Sequence, residues 1–131
     1  ISAFGEHVIG KEVETAMQKA SQESEVQVKE FTVAPKIDPE EGLPYHEWFI
    51  EFENPPQNTE NFAQKLDQSM QEQNVYYEDL LKGGVLRTLV ITTVADGGFQ
   101  QYMKSIGKLG GQNKVPRLSN DRKIVDKLPL K

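Results

Sequence analysis

The chain has 131 residues, a net charge of −5, 37% hydrophobic and 27% charged residues, and no cysteine. That balance fits a single globular domain and excludes a disordered chain, a disulfide framework and a thiolate metal site. No apolar run approaches the roughly 20 residues that a membrane-spanning helix needs, and no signal-peptide pattern opens the sequence, so a cytoplasmic protein with no membrane partner is expected.

The opening Ile1-Ser2-Ala3-Phe4-Gly5 reads as a strand entered part-way that runs into a glycine turn. It starts without a methionine, which is read either as processing or trimming or as the removal of a larger N-terminal partner. A first helix is predicted from Gly10 to Glu23, with Val13, Ala16, Met17 and Ala20 on one face. A strand rich in β-branched residues follows from Val26 to Val33, and Pro35 to Pro44 forms an acidic loop. In Tyr45 to Glu53, Trp48, Ile50 and Phe52 alternate with Glu47, Glu51 and Glu53, the pattern of a strand with one wet face. Asn58 is placed to cap a second helix carrying Phe62, Leu66 and Met70 and ending near Asn74; Tyr76 to Lys82 adds a short helical turn.

Val85 to Val94 is almost continuously apolar or β-branched, as in a central strand covered on both faces. Asp96 then stands where it would cap a third helix with Phe99, Tyr102, Met103 and Ile106 on its inner side, and a last helix is predicted from Asn120 to Leu128. The order β-α-β-β-α-β-α-α implies an α+β fold, a small mixed β-sheet with helices packed against it. Expected core residues are Trp48, Ile50, Phe52, Leu89, Ile91 and Phe99.

Few residues invite chemistry. The two histidines, His7 and His46, fall on different elements, and a histidine zinc site would need ligands that nothing supplies at recognisable spacing. His46, beside Tyr45 at a strand start, reads as structural or exposed. There is no G-x-S-x-G turn and no cysteine nucleophile. An acidic chain with no nucleic-acid-binding motif argues against a nucleic-acid partner.

Charge is nevertheless uneven. From Lys104 to Lys131 there are eight Lys/Arg against two Asp, a local excess of six positive charges. Within that stretch, Lys108-Leu109-Gly110-Gly111-Gln112-Asn113-Lys114-Val115-Pro116-Arg117-Leu118 admits two readings. One is an ordinary surface loop. The other is a lysine and an arginine presented to phosphate: lysine as a compact, movable cation, arginine as a rigid fork next to a stiffening proline.

Two segments resemble one family. Ile1 to Glu14, with Gly5-Glu6 and the helix start Glu12-Val13-Glu14, is similar to the region after the hinge of adenylate-forming enzymes. Gly83-Gly84-Val85-Leu86, Leu89-Val90-Ile91-Thr92, Gly98-Phe99 and Gln112-Asn113-Lys114-Val115-Pro116-Arg117 resemble, in that order, the end of the Gretchen Hagen (auxin-responsive) family of acyl acid amido synthetases. Asn113 stands where that family has tyrosine. The resemblance implies that residues 1–131 form a single C-terminal domain, mobile about a hinge, whose partner is a larger N-terminal adenylation domain of the same protein.

It also implies a two-step reaction using ATP and magnesium, both bound mainly by the larger domain. A carboxylic acid becomes an acyl-adenylate, and an amine such as an amino acid captures the acyl group. Under this resemblance Lys114 is the catalytic phosphate lysine and Arg117 its neighbouring support, while Gly5 and Glu6 lie in the loop presented to the active site. Lys123 is a second candidate lysine, although Arg122 replaces the glycine expected before it. The isolated domain is expected to be inactive. The alternative is a non-catalytic interaction or regulatory module whose basic end docks an acidic partner.

Overall fold

Val13, Ala16, Met17 and Ala20 line up along helix α1, Gly10–Ser24, and all four are buried. The structure is a computed structural model that describes residues 3–107 and 115–131. Glu12 closes the start of α1 by accepting the Ile9 N–H at 3.0 Å. Glu25, in the left-handed region at φ 55°, turns the chain into strand β1, Gln27–Lys36. Strand β2, Tyr45–Asn54, returns antiparallel, with Val33 opposite Trp48 and Phe31 opposite Ile50.

Helices α2, Thr59–Gln73, and α3, Val75–Lys82, each begin at an asparagine. The side chains of Asn58 and Asn74 accept the backbone N–H groups of Asn61 and Tyr77, each at 3.0 Å, satisfying donors that a helix start leaves unpaired. The two helices carry the chain across to strand β3, Val90–Thr93, which pairs parallel to β2 with Ile91 opposite Trp48. Helix α4, Gly98–Ser105, and a 3-10 turn at Val125–Lys127 complete the elements. The result is the expected α+β fold with a mixed sheet, in the order β1-β2-β3.

The sheet is covered on both faces. Phe31, Val33, Trp48, Ile50 and Phe52 join Val13, Met17, Phe62, Leu66 and Met70 in the larger core, beneath α1 and α2. Ala34 and Phe49 point the other way, into a second cluster with Phe99, Tyr102, Met103, Val125 and Leu128. This corrects the expectation of a wet face on β2. Glu51 is buried there, and its carboxylate accepts the N–H groups of Gly97 at 2.8 Å and Phe99 at 3.3 Å. An acid from β2 therefore serves the start of α4, the task expected of Asp96, and a negative charge suits that end of a helix. Gly98 is required there: a Cβ would lie 2.5 Å from Val94 Cγ1.

Three other expectations are corrected. Ala3 to Gly5 form a turn instead of a strand, with Gly5 at φ 87° as the glycine turn; Ile1 and Ser2 lie outside the described residues. Within Val85 to Val94 only Val90–Thr93 is strand, and it flanks the sheet while β2 takes the centre. The reason is local. The Arg87 N–H donates to the Pro44 carbonyl at 3.0 Å and the Leu89 N–H to Asp67 Oδ1 at 3.2 Å, so neither backbone group is left to a ladder. The predicted last helix contracts to Val125–Lys127 because its neighbours are drawn to the sheet edges. Leu118 bridges to Val33 beside β1, and Leu130 bridges to Val94 just past β3. Short covers of this kind protect edges that would otherwise offer unpaired backbone.

Leu89 remains a core residue despite leaving the strand, at 3% exposure. Leu89→Ala is expected to cost about 2–5 kcal/mol in urea melts, for the lost contacts and the cavity left behind. A loss under about 1 kcal/mol would place Leu89 outside the core.

Candidate functional site

The segment Val115 to Ser119 lies against β1. Val115 is buried, Thr32 Oγ1 donates to the Pro116 carbonyl at 2.6 Å, the Val33 N–H donates to the Arg117 carbonyl at 2.9 Å, and the Ser119 N–H donates to the Val33 carbonyl at 2.9 Å. This seating brings the Arg117 side chain to the seam between α1 and β1. Its Nε donates to Glu14 Oε1 at 3.0 Å, and its Nη1 donates to the Glu30 carboxylate and, at 3.0 Å, to the Phe31 carbonyl. The guanidinium lies 4.4 Å above the Phe31 ring, and that ring lies parallel to Trp48 at 6.0 Å. Burial opposes the charge on Arg117, but Glu30 and Glu14 outweigh it and hold the group more basic than usual. Arg117 and Phe31 border an open cleft of about 570 Å³ with Gly10, Lys11, Glu14 and Gln18. Lys114, three residues before Arg117, lies outside the described residues.

Arg122 makes a matching attachment on the opposite sheet face. It donates to Glu47 Oε1 at 2.9 Å and to the Pro35 carbonyl at 3.3 Å, and it lies 5.5 Å above the Phe49 ring. The two arginines thus grip β1 and β2 from both sides. Lys123, which follows Arg122 in the chain, is exposed and its ammonium takes part in no ion pair among the described residues.

Gly5 and Glu6 open a different cluster. Glu6 is 0% exposed; its Oε1 accepts the Phe4 N–H at 2.8 Å and its Oε2 lies 2.7 Å from His46 Nε2. Asn74 Nδ2 donates to the Glu6 carbonyl at 2.9 Å and to Glu12 Oε1 at 3.2 Å. His46 lies 5.2 Å from the Tyr77 ring, and the Tyr77 hydroxyl donates to Asp67. Burial and the adjacent Asp67 push the Tyr77 hydroxyl well above its ordinary value. His46 is therefore structural, one of the two roles left open for it.

Burial alone would raise the Glu6 carboxyl, but the hydrogen bonds from His46 and the Phe4 N–H prevail and hold it below its ordinary 4.5. A carboxyl with a lowered folded-state value stabilises the fold above its unfolded value and stops doing so as pH falls through the lower one. The stability advantage of the wild type over Glu6→Gln should therefore be full above pH 4.5 and shrink below it in urea melts. A difference that stays flat across that range would contradict the assignment.

The partners of Arg117 escaped sequence reasoning, because Glu14 and Glu30 lie 103 and 87 residues away. One signal was available. In Glu12-Val13-Glu14 the first carboxylate caps α1 and the second holds Arg117, with Val13 buried between them. Among the described residues, no group of three or more His, Cys, Asp or Glu could hold a metal ion, and no helix is long and apolar enough to cross a membrane.

Residues 11–123 match the GH3 family C-terminal domain. Among solved structures, the fold is similar to a GH3.15 acyl acid amido synthetase, with a TM-score of 0.70 and 17% identity over 89% of this chain and 22% of that one. It is also similar to AtGH3.15 acyl acid amido synthetase in complex with 2,4-DB, with a TM-score of 0.65 and 14% identity over 89% of this chain and 23% of that one. The chain thus spans less than a quarter of the length of these proteins. No curated protein sequence matches it significantly.

Proposed function

This chain belongs to the GH3 family as a C-terminal domain, and we propose that it serves as the smaller domain of an ATP-dependent ligase that joins a carboxylic acid to an amine such as an amino acid. Its working partner is a larger adenylation domain of the same cytoplasmic protein. The observation that carries this reading is the family match, which spans both the Glu12–Glu14 helix start and the Lys114–Arg117 segment. The fold likeness to two acyl acid amido synthetases supports it.

ATP supplies the adenylyl group that activates the acid, with magnesium on its phosphates. The described residues suit a share of that work. Lys123 has an exposed ammonium outside any described ion pair, a suitable donor for a phosphate oxygen. Arg117 is committed to Glu14, Glu30 and the Phe31 carbonyl, which fits a supporting role and leaves the phosphate to a lysine. Lys114 is the first choice, since a compact cation aimed at developing phosphate charge lowers the barrier to adenylation. Glu6 has both oxygens occupied, so it fixes the first segment of the domain instead of meeting a ligand, and Gly5 supplies the turn that leads there. Magnesium is assigned to the larger domain, as the family reading implies.

The test is product analysis. The full-length protein carrying this domain is incubated with ATP, magnesium, a panel of carboxylic acids and the amino acids, and products are identified by mass spectrometry. An amide that forms with release of AMP, and that is lost in Lys114→Ala, is expected. Hydrolysis of ATP to ADP, or amide formation untouched by Lys114→Ala, would contradict the assignment.

A further inference from the structure

We propose that Ile9, Val75 and Tyr76 form a docking surface for an apolar patch on the larger domain of the same protein. The proposal rests on the reading above that this domain works beside such a partner. Among the described residues these are the three most exposed large hydrophobic side chains, at 55%, 58% and 59%. They come from two elements yet lie together. Ile9 precedes α1, while Val75 and Tyr76 open α3. One oxygen joins the two helix starts: Glu12 Oε1 accepts the Ile9 N–H at 3.0 Å and, at 3.2 Å, Nδ2 of Asn74, the residue before Val75. Beside them the His7 ring meets the Tyr76 ring edge-on at 6.0 Å, with the His7 backbone in the left-handed region at φ 51°.

Local structure gives these positions no reason to be apolar. A helix start favours Asn, Asp, Ser or Thr at the cap and negative charge in the first turn. Asn58 and Asn74 follow that rule, whereas Ile9 stands at the cap of α1 with no polar atom to offer. Single exposed apolar residues are ordinary, but a contiguous group marks an interaction site. The surface is also preformed. Asn74 ties the two helix starts together beneath it, through its bonds to the Glu6 carbonyl and to Glu12. A partner therefore meets side chains already in place, which lowers the ordering cost of binding.

Size decides the occupant. A stable complex of separate proteins takes roughly 20–30 residues a side, and here three apolar residues and a histidine are on offer. Tethering changes that balance, because a linked partner is held at an effective concentration on the order of millimolar. This chain spans less than a quarter of the amido synthetases it is similar to, and the remaining length is the tethered neighbour that the reading above assigns.

The experiment uses the full-length protein with the photo-crosslinker p-benzoyl-phenylalanine in place of Tyr76, and the products are mapped by mass spectrometry. Position 37 carries the same group as a control, because Ile37 is also exposed and apolar but stands in the loop after β1. Crosslinks from position 76 to the larger domain of the same molecule are expected, at a yield that does not fall on dilution. Val75→Asp should lower that yield at least about fivefold, since docking would then bury an unpaired charge. An aspartate in the first turn suits the helix itself, so the fold is kept. Crosslinks to the larger domain no more abundant from position 76 than from position 37 would overturn the proposal. So would crosslinks only between molecules, which make a second copy the occupant, or a yield unmoved by Val75→Asp. Acid-dependent ATP–pyrophosphate exchange on the same preparation keeps the two readings apart: its absence refutes the ligase, while the crosslinks still decide the surface.

Discussion

Trp48→Ala is expected to destabilise the domain by about 3–5 kcal/mol, the largest loss from any single truncation in the sheet. Trp48 sits at the centre of β2, the middle strand, and is 1% exposed. It is opposite Val33 in β1 and Ile91 in β3, so its removal opens the sheet towards both neighbours. Its ring also lies parallel to Phe31, which carries the Arg117 guanidinium on its face. The cavity would therefore loosen the seat of the Val115–Ser119 segment as well as the core. Urea melts give the magnitude, and a loss under about 2 kcal/mol would mean that the surrounding side chains collapse into the space.

His46→Ala is the second large effect, at about 3–5 kcal/mol near neutral pH. The cause differs from that of Trp48. Deleting the imidazole strips a buried carboxylate of its side-chain partner, leaving Glu6 with backbone N–H groups such as that of Phe4. The double variant Glu6→Gln with His46→Ala should then be less damaged than the sum of the two single changes, since no unpaired charge remains. Additive losses in urea melts would show that the pair contributes through packing and not through its mutual bond. Because Glu6 also bonds to Asn74 through its carbonyl, loss of the pair should loosen the entry of α1 before it affects β2 or β3.

What the sequence made legible follows from how local each signal is. The inner face of α1, the Asn58 cap of α2 and the hydrophobic side of β2 rest on spacings of a few residues, and all three stand in the structure. Glu51 was misread because its partners, the N–H groups of Gly97 and Phe99, come from 46 and 48 residues away. An alternating strand gives the same pattern whether its polar side meets water or a helix start. The run from Val85 to Val94 is apolar because Leu86 and Leu89 enter the core from irregular backbone, which a count of apolar residues cannot tell from a strand. The two edge covers at Leu118 and Leu130 are single-residue bridges with no periodicity to detect.

The candidate site was legible in a similar way. The Lys114–Arg117 spacing marks a cation pair beside a proline, but whether an arginine is free or committed depends on which acids the fold brings to it. Here the acids come from α1 and β1, and they turn the arginine from a ligand into an anchor.

We propose that this domain belongs to an enzyme that adenylates a carboxylic acid with help from Lys114. The most direct measurement is ATP–pyrophosphate exchange by the full-length protein across a panel of carboxylic acids, comparing wild type with Lys114→Ala. Exchange that requires an acid and falls by at least about a hundredfold in the variant is the expected result. Exchange in Lys114→Ala at the wild-type rate, or none with any acid on a broad panel, would contradict it.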